Sequence, residues 1–402
     1  MKEYFVAVTP HGPLRMGDLK PRGDYFGTRS YIPGAVLRGA LAEWLKAQGR
    51  ESEIVSLVGR VRFGNLFPSE VEQAWGLPFP TTALECKLEG GFRSTASDRE
   101  GVSRPGHGIR DGLLLFVAYS ELETLGAQFP VPLQLRCMAQ RGEECCGGRM
   151  ERVSGFYVRL PEGWRVREME RGLLTKVALS RYRRAAQEQM LYRVSALRPQ
   201  GCFVGRIWTD DDSVIDTLRE AVEHIGVGAL TTRGFGAARL REAKQVSLPS
   251  LAERLREFNE KLGEVWRDLA DLARQVGNAV PDEPSGTYFS VDLLAPAVLN
   301  DTQGLPTLKL CLRGPDGSWL EPIWWATQPT FVGGFSTAWG LPKPTALGSA
   351  PGSVYVFRSE LPEAQLVSWL ENLEAHGVGQ RTDEGLGEIL VCHPFHREVM
   401  PV

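Results

Sequence analysis

The chain has 402 residues, of which 43% are hydrophobic and 24% charged, with 46 basic and 49 acidic side chains. This ordinary globular composition excludes long disordered tracts, collagen-like repeats and coiled coil for most of the length. At roughly 100–200 residues per domain, we expect two or three domains, each able to bury its own core. The net charge of −3 would argue against a nucleic-acid binder if the charge were evenly spread.

The charge is unevenly distributed along the chain. Residues 1–50 carry eight Lys/Arg and four Asp/Glu, a net +4, and residues 164–206 carry ten against three, a net +7. Residues 207–301 carry ten against seventeen, a net −7. The near-neutral total therefore combines a basic part that suits phosphate groups with an acidic part that suits protein neighbours.

Three features indicate a cytosolic protein. The longest apolar runs, such as residues 113–118, are far shorter than the ~18 residues of a membrane-spanning helix. The N-terminal residues alternate as far as Pro10, which is typical of a β-strand and not of a signal peptide. Seven unevenly spaced Cys do not resemble the disulfide framework of a secreted protein.

The first half alternates strands, helices and Gly-rich loops. A Gly- and Arg-rich loop leads from the first strand to an amphipathic helix that begins near Pro33, whose N-terminus is a candidate phosphate site. Residues 60–68 alternate like a strand, and residues 76–150, rich in Gly, Pro and Cys, predict an insertion. Further elements are predicted as strands at 175–179 and 202–208, a helix at 212–225 and a Gly-rich loop that ends in a strand near residue 240.

The second half repeats this order after a long helix. Residues 248–276 carry the clearest apolar stripe, and residues 277–286, without periodicity, predict a domain boundary. The elements that follow are predicted as strands at 288–294 and 354–357, a helix at 362–375 and a Gly-rich loop that ends in a strand near residue 391. Two copies of one supersecondary unit predict two related domains.

We name residues 226–236 the first glycine loop and residues 377–387 the second glycine loop. Glycines let a backbone approach phosphates closely. The repeated order places Arg233 and Arg381 at matching positions, and Phe235 offers a ring for base stacking. A tight helix-to-strand turn is the alternative, but the repeated arginine favours a function.

The segment between the strands at 175–179 and 202–208 mixes cations with Tyr182 and Tyr192. Charge mixed with aromatic rings suits single-stranded RNA, while a plain solvated face is an equal alternative. The cations of this segment are Lys176, Arg181, Arg183, Arg184 and Arg193.

The insertion contains a group of possible metal ligands, namely Cys86, His107, Cys137, Cys145 and Cys146. Four of the seven Cys fall within 61 residues, which favours a metal site over scattered buried thiols. The spacing is not that of two CxxC pairs, so free thiols remain an alternative. Motifs for nucleotide hydrolysis, metalloproteases and serine hydrolases are absent, and His11 is the candidate for acid–base chemistry.

Together these residues resemble the repeat-associated mysterious protein (RAMP) superfamily of CRISPR effector subunits. The resemblance is carried by Pro10-x-x-Pro13-Leu14-x-Met16-Gly17, by the helix motif from Thr28 to Leu41 and by the two glycine loops. The two-domain RAMP subunit of type III-D complexes is the most similar type, through Cys86-Lys87, His107-Gly108-x-x-Asp111 and the segments at 340–344 and 352–357.

The resemblance implies an α+β fold with two tandem ferredoxin-like (βαββαβ) domains. The N-terminal RAMP domain would span 1–247, with the insertion at 76–150, followed by a helical connector at 248–280 and a C-terminal RAMP domain at 281–402. It also implies a structural zinc on Cys86, His107, Cys137 and Cys146, with Cys145 as a possible substitute. Leu386 replaces the aromatic residue in the second glycine loop, which weakens the case for stacking there.

The function implied is that of a non-catalytic subunit that holds the repeat-derived 5′ handle of a CRISPR guide RNA. Its partners would be the guide RNA, the large palm-domain subunit, the backbone RAMP subunits and, indirectly, target RNA. The RNA-binding residues predicted are Arg15, Lys20, Arg22, Arg29, Tyr31, Arg38, Lys176, Arg181, Arg183, Arg184, Thr232, Arg233, Gly234, Phe235, Gly236, Arg381, Gly385 and Gly387.

Two other hypotheses compete with this one. The first is a RAMP endoribonuclease that cleaves repeat RNA with His11 as base or acid and Lys20 or Arg29 near the transition state. The loop offers no second well-placed His or Tyr, which counts against it. The second is a scaffold that contacts only protein, which would leave the basic segments unused.

Overall fold

The computed structural model describes residues 1–17, 25–92, 107–141, 144–336 and 340–399. The elements of the first half are β1 (Lys2–Pro10), β2 (Tyr25–Phe26), α1 (Gly34–Ala47), α2 (Ile54–Val58), β3 (Val61–Ser69), β4 (Gly76–Pro78), β5 (Ala83–Cys86), β6 (Arg110–Asp111), α3 (Leu113–Thr124), β7 (Gln140–Arg141), β8 (Glu144–Cys145), β9 (Met150–Arg152), β10 (Phe156–Leu160), β11 (Gly163–Arg167), β12 (Arg171–Leu179), β13 (Ala186–Leu197), β14 (Cys202–Thr209), α4 (Ser213–Ile225) and β15 (Ala238–Glu242).

The second half begins with the longest helix. Its elements are α5 (Leu251–Gln275), β16 (Thr287–Leu293), β17 (Leu299–Asn300), β18 (Pro306–Thr307), β19 (Leu312–Arg313), β20 (Trp319–Leu320), β21 (Trp324–Ala326), β22 (Pro329–Val332), β23 (Phe335–Ser336), β24 (Leu341–Pro342), β25 (Ala346–Ser349), β26 (Val354–Ser359), α6 (Glu363–His376), β27 (Ile389–Val391) and α7 (Phe395–Glu398).

The first half is built on a four-stranded antiparallel sheet of order β15-β1-β14-β3. Strand alternation sends Val6 and Val8 towards α1 and α4, while Ala7 faces the opposite side. The helices close the first side with Leu37 and Leu218 among the buried residues. The sheet is therefore covered on both faces, which explains why β3 and β14 are buried along their whole length.

The second half has a related sheet of order β21-β26-β16-β27, with antiparallel pairing throughout. The helix α6 leads from β26 to β27, as α4 leads from β14 to β15. No helix lies between β16 and β21, a stretch that the structure describes completely and that holds short hairpins instead.

The helices α5 and α3 complete the second core. The helix α5 starts at a capping box in which Ser250 and Glu253 satisfy each other's backbone N–H groups. Its apolar stripe, including Phe258 and Trp266, packs with the second sheet and with α3. The apolar run at residues 113–118 is thus part of a core helix inside the predicted insertion, and residues 251–275 belong to the second core as well as linking the halves.

Buried charged and amide groups join the two halves. The carboxylate of Glu388, fully buried, accepts hydrogen bonds from the backbone N–H of Asn65 at 2.8 Å and from Arg206 at 3.3 Å. The guanidinium of Arg62 donates to the carbonyls of Glu374 and Ala375 at the end of α6. Since breaking one partner leaves a buried charge unpaired, these bonds fix how the halves pack.

The predicted helices at 33–45, 212–225, 248–276 and 362–375 are confirmed within a few residues. The predicted strands at 60–68, 175–179, 202–208, 288–294 and 354–357 are confirmed as β3, β12, β14, β16 and β26. Among the described residues, no helix is long and apolar enough to cross a membrane.

Candidate nucleic-acid interface and metal centre

A long antiparallel hairpin, β12–β13, carries most of the predicted basic segment. Its strands pair from Arg171 with Leu197 to Leu179 with Ala186, and β2 adds a short parallel pairing at its base. At the tip, Arg184 has a φ of +52° and its N–H bonds to the carbonyl of Ser180 at 2.9 Å. We call residues 171–197 the basic hairpin.

The outer part of the basic hairpin is exposed on both of its faces. Tyr182 is 97% exposed, Leu173, Val177 and Leu191 are exposed on one face, and Leu174 and Met190 are exposed on the other. The side chains of Arg181, Arg183 and Arg184 are all exposed at the tip. Because the side chains of a strand alternate between its two faces, solvent reaches both sides of this ribbon, which projects from the core.

The first glycine loop packs on the base of the basic hairpin. A tight turn at Thr231–Arg233 lies between Leu230, with a φ of +66°, and Gly234, with a φ of +84°. Thr232, Arg233 and Gly234 are exposed, and the Arg233 guanidinium donates to the Tyr192 hydroxyl at 3.2 Å. The structure therefore brings Arg233 beside the hairpin, as an RNA-binding surface requires.

The expectation that Phe235 stacks on a base is corrected by its burial. Its ring is only 4% exposed and packs with Val194 and Ala196 of the hairpin. The ammonium of Lys176 lies 5.1 Å from the ring centroid, a cation–π contact. Phe235 thus anchors the hairpin, because its apolar ring is more stable buried between the loop and the hairpin than exposed to water. The cation–π contact also orients the side chain of Lys176.

Two backbone N–H groups of the first glycine loop already form hydrogen bonds within the protein. The N–H of Gly236 donates to the carbonyl of Pro13 at 2.9 Å, and the N–H of Ala229 donates to that of Arg15 at 2.8 Å. These two donors are therefore not open to phosphates. They instead hold the segment that follows β1 beside the hairpin, where burial lowers the pKa of the Arg15 guanidinium.

Arg29 and Tyr31 extend the same region towards α1. The Arg29 guanidinium donates to the Tyr31 hydroxyl at 3.2 Å, and the Tyr31 ring lies 5.8 Å from that of Phe67. Both side chains are half-buried. The predicted residues Lys20 and Arg22 lie outside the described residues.

The second glycine loop lies in the junction between the halves. Gly385 and Gly387 are buried, and a Cβ on Gly385 would approach the carbonyl oxygen of Phe63 to 2.8 Å. The Asn65 side chain donates to the Gly385 carbonyl at 2.6 Å. Gly385 therefore serves close packing between the halves, and Gly387 packs against Val378 within its own loop, in contrast to the predicted exposure of both to RNA.

The matching of Arg233 with Arg381 is wrong. The second loop has its own tight turn at Thr382–Glu384, and the residue with positive φ before it is Arg381. By backbone conformation, Arg381 corresponds to Leu230, and Glu384 corresponds to Arg233. Each loop contains one arginine, but Arg381 lies three positions earlier in the second loop than Arg233 does in the first. The order of residue types alone therefore suggested a shared arginine.

Salt bridges pair two of the predicted RNA-binding arginines, Arg38 and Arg381, with acidic residues of the second glycine loop. Arg38 pairs with Asp383 at 2.8 Å, and Arg381 and Lys343 pair with Glu384 at 2.6 Å and 2.7 Å. Burial opposes ionisation of Glu384, but the hydrogen bonds from Arg381 and Lys343 hold its pKa below the usual value. Arg38 and Arg381 therefore neutralise acidic groups between the domains.

The N-terminus of α1, which is the predicted phosphate site, is occupied by residues of β3. The N–H of Gly34 donates to the side-chain oxygen of Asn65 at 3.2 Å, and a Cβ on Gly34 would meet the Phe63 carbonyl oxygen at 2.1 Å. This helix end is covered by β3 and leaves no space for a phosphate.

Four predicted metal ligands come together in the insertion. The ligand atoms of Cys86, His107, Cys137 and Cys146 all lie within 4.8 Å of one another. The sulfurs of Cys86 and Cys146 are 3.8 Å apart, and Cys137 Sγ lies 3.4 Å from His107 Nδ1. Cys145 is exposed and outside the group, so Cys146 is the fourth member.

The surroundings of the cluster suit a cation. Burial opposes ionisation of Cys86, but bonds from the backbone N–H groups of Glu89 and Leu88 outweigh it and lower the thiol pKa to about 7. The other ring nitrogen of His107, Nε2, lies 2.9 Å from a carboxylate oxygen of Glu89. Glu89 was not predicted from the sequence, and its carboxylate leaves the other ring nitrogen, Nδ1, facing the cysteine sulfurs.

A buried ionic network, not predicted from the sequence, lies at His396. His396 lies 2.7 Å from Asp111 through Nδ1 and 2.7 Å from Asp292 through Nε2, and all three side chains are buried. It joins the insertion, the second sheet and α7. The three residues are far apart in the sequence and no local motif marks them.

Two family models match the chain. The model of the RAMP superfamily matches residues 8–239, and that of the CRISPR-associated protein Cas_Cmr3 matches residues 173–394, so each covers more than half of the chain. No curated protein matches the chain.

Solved structures with a similar chain come from type III CRISPR complexes. One is the type III-B Cmr-beta complex bound to cognate target RNA, with 13% identity over 92% of this chain and 89% of that chain and a TM-score of 0.36. Another is the Csm3–Csm4 subcomplex of the type III-A interference complex, with 14% identity over 90% and 95% and a TM-score of 0.34. Likenesses this distant carry no functional argument, whereas the family models do: the chain belongs to the RAMP superfamily and, within it, to the Cas_Cmr3 family of CRISPR-associated proteins.

Proposed function

We propose that this chain is a non-catalytic, RNA-binding subunit of a type III CRISPR effector complex that holds the 5′ repeat-derived handle of the guide RNA. Its partners are the guide RNA, the large palm-domain subunit and the backbone RAMP subunits, with target RNA contacted indirectly. The observation that carries the proposal is the basic hairpin, which projects beside the first glycine loop.

The basic hairpin has the chemistry of a single-strand binder. Arg181, Arg183 and Arg184 supply exposed positive charge around the exposed ring of Tyr182, and Lys176 and Arg233 continue the charge towards the base. Arginines track a phosphate backbone while aromatic rings accept unstacked bases. The alternative, a plain solvated face, would carry charged side chains only and would not expose aromatic and aliphatic side chains.

Removal of the tip arginines tests this proposal. A variant with Arg181, Arg183 and Arg184 changed to Ala should bind repeat-handle RNA more weakly, with a log–log salt slope lower by about 2, since each lost phosphate contact accounts for ~0.7. Binding is measured by fluorescence anisotropy across a salt series.

A matched control variant changes three other exposed arginines, Arg219, Arg239 and Arg256, to Ala. Each of them is paired with an acidic residue and lies outside the hairpin. Its affinity and salt slope should stay close to those of the wild type. If both triple variants behave alike, or if the tip variant keeps its slope, the hairpin is not the RNA surface.

The proposed fold is two tandem ferredoxin-like domains, with the boundaries predicted from the sequence. The strand order β15-β1-β14-β3 and the succession of β1, α1, β3, β14, α4 and β15 support a βαββαβ domain. The second sheet has the same strand order, and α5 and α3 cover it in place of a helix after its first strand.

The environments of the histidines support a role without catalysis. His107 joins the cysteine cluster, His224 stacks on Trp44, His376 bonds to a main-chain carbonyl, and His393 and His396 are buried. His11 is exposed in the loop after β1, and His224 and His376, although exposed, have the helix contacts just described. Incubation of the purified protein with repeat RNA in chelator should give no discrete product; a product that disappears in His11→Ala would favour the endoribonuclease.

A structural zinc at the cysteine cluster forms part of the proposal. Zn–S bonds of ~2.3 Å in a tetrahedron place two sulfurs ~3.8 Å apart, close to the separation of Cys86 and Cys146. Three thiolates and one imidazole are a common donor set for a closed structural zinc site. Such an ion would hold the end of β5, at Cys86, to His107, to Cys137 and to Cys146 in the turn that precedes Gly148.

Elemental analysis of the purified chain tests the zinc proposal. We expect about one zinc per chain in the wild type, retained in Cys145→Ser and lost in Cys137→Ser. A wild-type protein with only a trace of zinc, or equal zinc in both variants, would exclude this site.

A further inference from the structure

The strand β12 forms an open edge of the basic hairpin. In the sheet of order β12-β13-β2, β12 pairs with β13 on one side only. Among the described residues, no other strand or loop forms backbone hydrogen bonds with its outer side. Alternate residues of an edge strand turn their N–H and C=O groups away from the sheet, so this edge offers a row of donors and acceptors to a further strand.

This edge lacks the features that usually protect an exposed strand. Edge strands are commonly short, or carry proline or several charges, because an open edge pairs with other chains. The strand β12 has nine residues, no proline and only two charged residues, Arg171 and Lys176. Its larger aliphatic side chains lie on both faces and are between 39% and 66% exposed; they are Leu173, Leu174, Val177 and Leu179. Both the backbone and the side chains of this edge therefore suit pairing with another strand.

The sequence of β12 is complementary to itself in one antiparallel register. When Thr175 lies opposite Thr175 of a second copy, all nine residues of both strands overlap. In this register Leu173 lies opposite Val177 of the other copy, and Leu174 lies opposite Lys176. The members of each pair share a face of the sheet, because they are an even number of residues apart. Aliphatic side chains therefore meet each other or the aliphatic stem of a lysine.

The charges agree with the same register. Arg171 lies opposite Leu179 of the other copy, so neither cation of β12 lies opposite another cation, an arrangement that would destabilise the pair. Just beyond the strand, the register brings Arg181 of the tip beside Glu170 of the other copy. Glu170 is exposed and also pairs with Arg198 of its own chain at 3.1 Å. The two cationic tips point in opposite directions, so they do not repel each other at close range.

We propose that two copies of this chain associate through their β12 edges, as an antiparallel pair of strands centred on Thr175. The pair joins the two three-stranded sheets into one sheet of order β2-β13-β12-β12-β13-β2. Its two-fold symmetry closes the assembly at a dimer. The seam is small for a specific interface, so we expect a dissociation constant on the order of 10–100 µM. The proposal does not depend on RNA binding by the tip.

Sedimentation equilibrium of the full chain between about 1 and 300 µM measures the association. A double variant, Leu173→Lys with Val177→Lys, places like charges directly opposite each other in the proposed register and should weaken the dimer at least about tenfold. The matched control, Leu305→Lys with Leu341→Lys, adds the same charge at exposed leucines outside the hairpin and should keep the wild-type affinity. Thermal midpoints of all variants show whether they remain folded.

Disulfide trapping tests the register itself. Directly opposite Cα atoms of an antiparallel pair are about 4.5–5.5 Å apart, within the range of a disulfide. In a Cys145→Ser background, which removes an exposed native thiol, Thr175→Cys should form a disulfide between two chains under mild oxidation. Leu179→Cys should not, because the two copies of this position are offset by about eight residues, or ~27 Å.

The results separate this proposal from other uses of the edge. A dimer that the two lysines weaken, and that is trapped by Thr175→Cys but not by Leu179→Cys, supports it. A chain that stays monomeric at about 300 µM overturns it, and this result is also expected if the edge instead pairs with a strand of a different protein. A dimer that the two lysines leave unchanged, or equal trapping by both cysteine variants, overturns it as well.

Discussion

The buried network of His396, Asp111 and Asp292 predicts a specific dependence of stability on pH. Burial alone would lower the pKa of His396, but the carboxylates of Asp292 and Asp111 outweigh it and raise the pKa to about 10. The hydroxyls of Thr82 and Ser290 donate to the two carboxylates at 2.6 Å and 2.7 Å. His396 is therefore charged at neutral pH, and we predict that His396→Gln strongly destabilises the chain.

The size of the effect follows from the change in pKa. A rise from 6.5 to about 10, at ~1.36 kcal/mol per pKa unit, corresponds to about 5 kcal/mol. Loss of one partner from a buried ion pair costs ~3–5 kcal/mol, which agrees. Because the folded-state pKa is above the unfolded-state pKa, this stabilisation is complete below about pH 6.5 and is lost as the pH rises towards about 10.

Urea unfolding of the full chain at several pH values between about 6 and 10 measures this effect. The difference in unfolding free energy between the wild type and His396→Gln should be largest near pH 6 and should shrink as the pH rises. Taking the difference cancels the other groups that titrate in this range. His376→Gln, on the exposed end of α6, is the control and should show no such trend. A constant difference across the whole range would refute the assignment of a charged His396.

Three further substitutions test packing between the two halves and within each of them. Glu388→Ala should lower the free energy of unfolding by ~3–5 kcal/mol, measured by urea unfolding, because it leaves buried cationic and amide groups unpaired. Gly387→Ala should prevent stable folding, detected as a lost thermal transition, since a Cβ there would lie 1.7 Å from the Val378 carbonyl oxygen, whereas Gly39→Ala in α1, which has open space and no positive φ, should cost far less. Phe235→Ala should cost ~3–5 kcal/mol and raise protease sensitivity of the basic hairpin in limited proteolysis, while a surface ring would give no such change.

The sequence was informative about elements whose own pattern decides their structure. The helix α5 has an unbroken apolar stripe and a capping box, and it was predicted within a few residues. The helix α3 was missed, because it is apolar on most of its circumference and packs beside α5 in the second core, so it lacks the amphipathic pattern of a surface helix. The residues between 294 and 323 form short hairpins, each too brief to give a periodic signal.

The candidate sites also divide into those that a local sequence pattern marks and those that it does not. The concentration of Cys and His in a short stretch marked five candidates, the resemblance to the RAMP superfamily implied four of them as ligands, and the structure brings those four together. The partner Glu89 was missed, since a carboxylate in a loop has no distinctive spacing. The network of His396 depends on contacts between residues that are distant in the chain, so local motifs do not reveal it.

The two glycine loops show why a repeated motif need not have a repeated function. Both loops place a tight turn between a left-handed residue and a glycine, so the backbone requirement alone explains the repeated glycines. The side chains at the corresponding turn position have opposite charges, with exposed Arg233 in the first loop and Glu384 paired with cations in the second. The first loop therefore leaves its positive charge at the surface beside the basic hairpin, while the second joins the domains. Since the second loop is buried against β3, removal of its glycines should disrupt folding before it affects RNA binding, which makes Arg233 and the hairpin the informative positions for binding experiments.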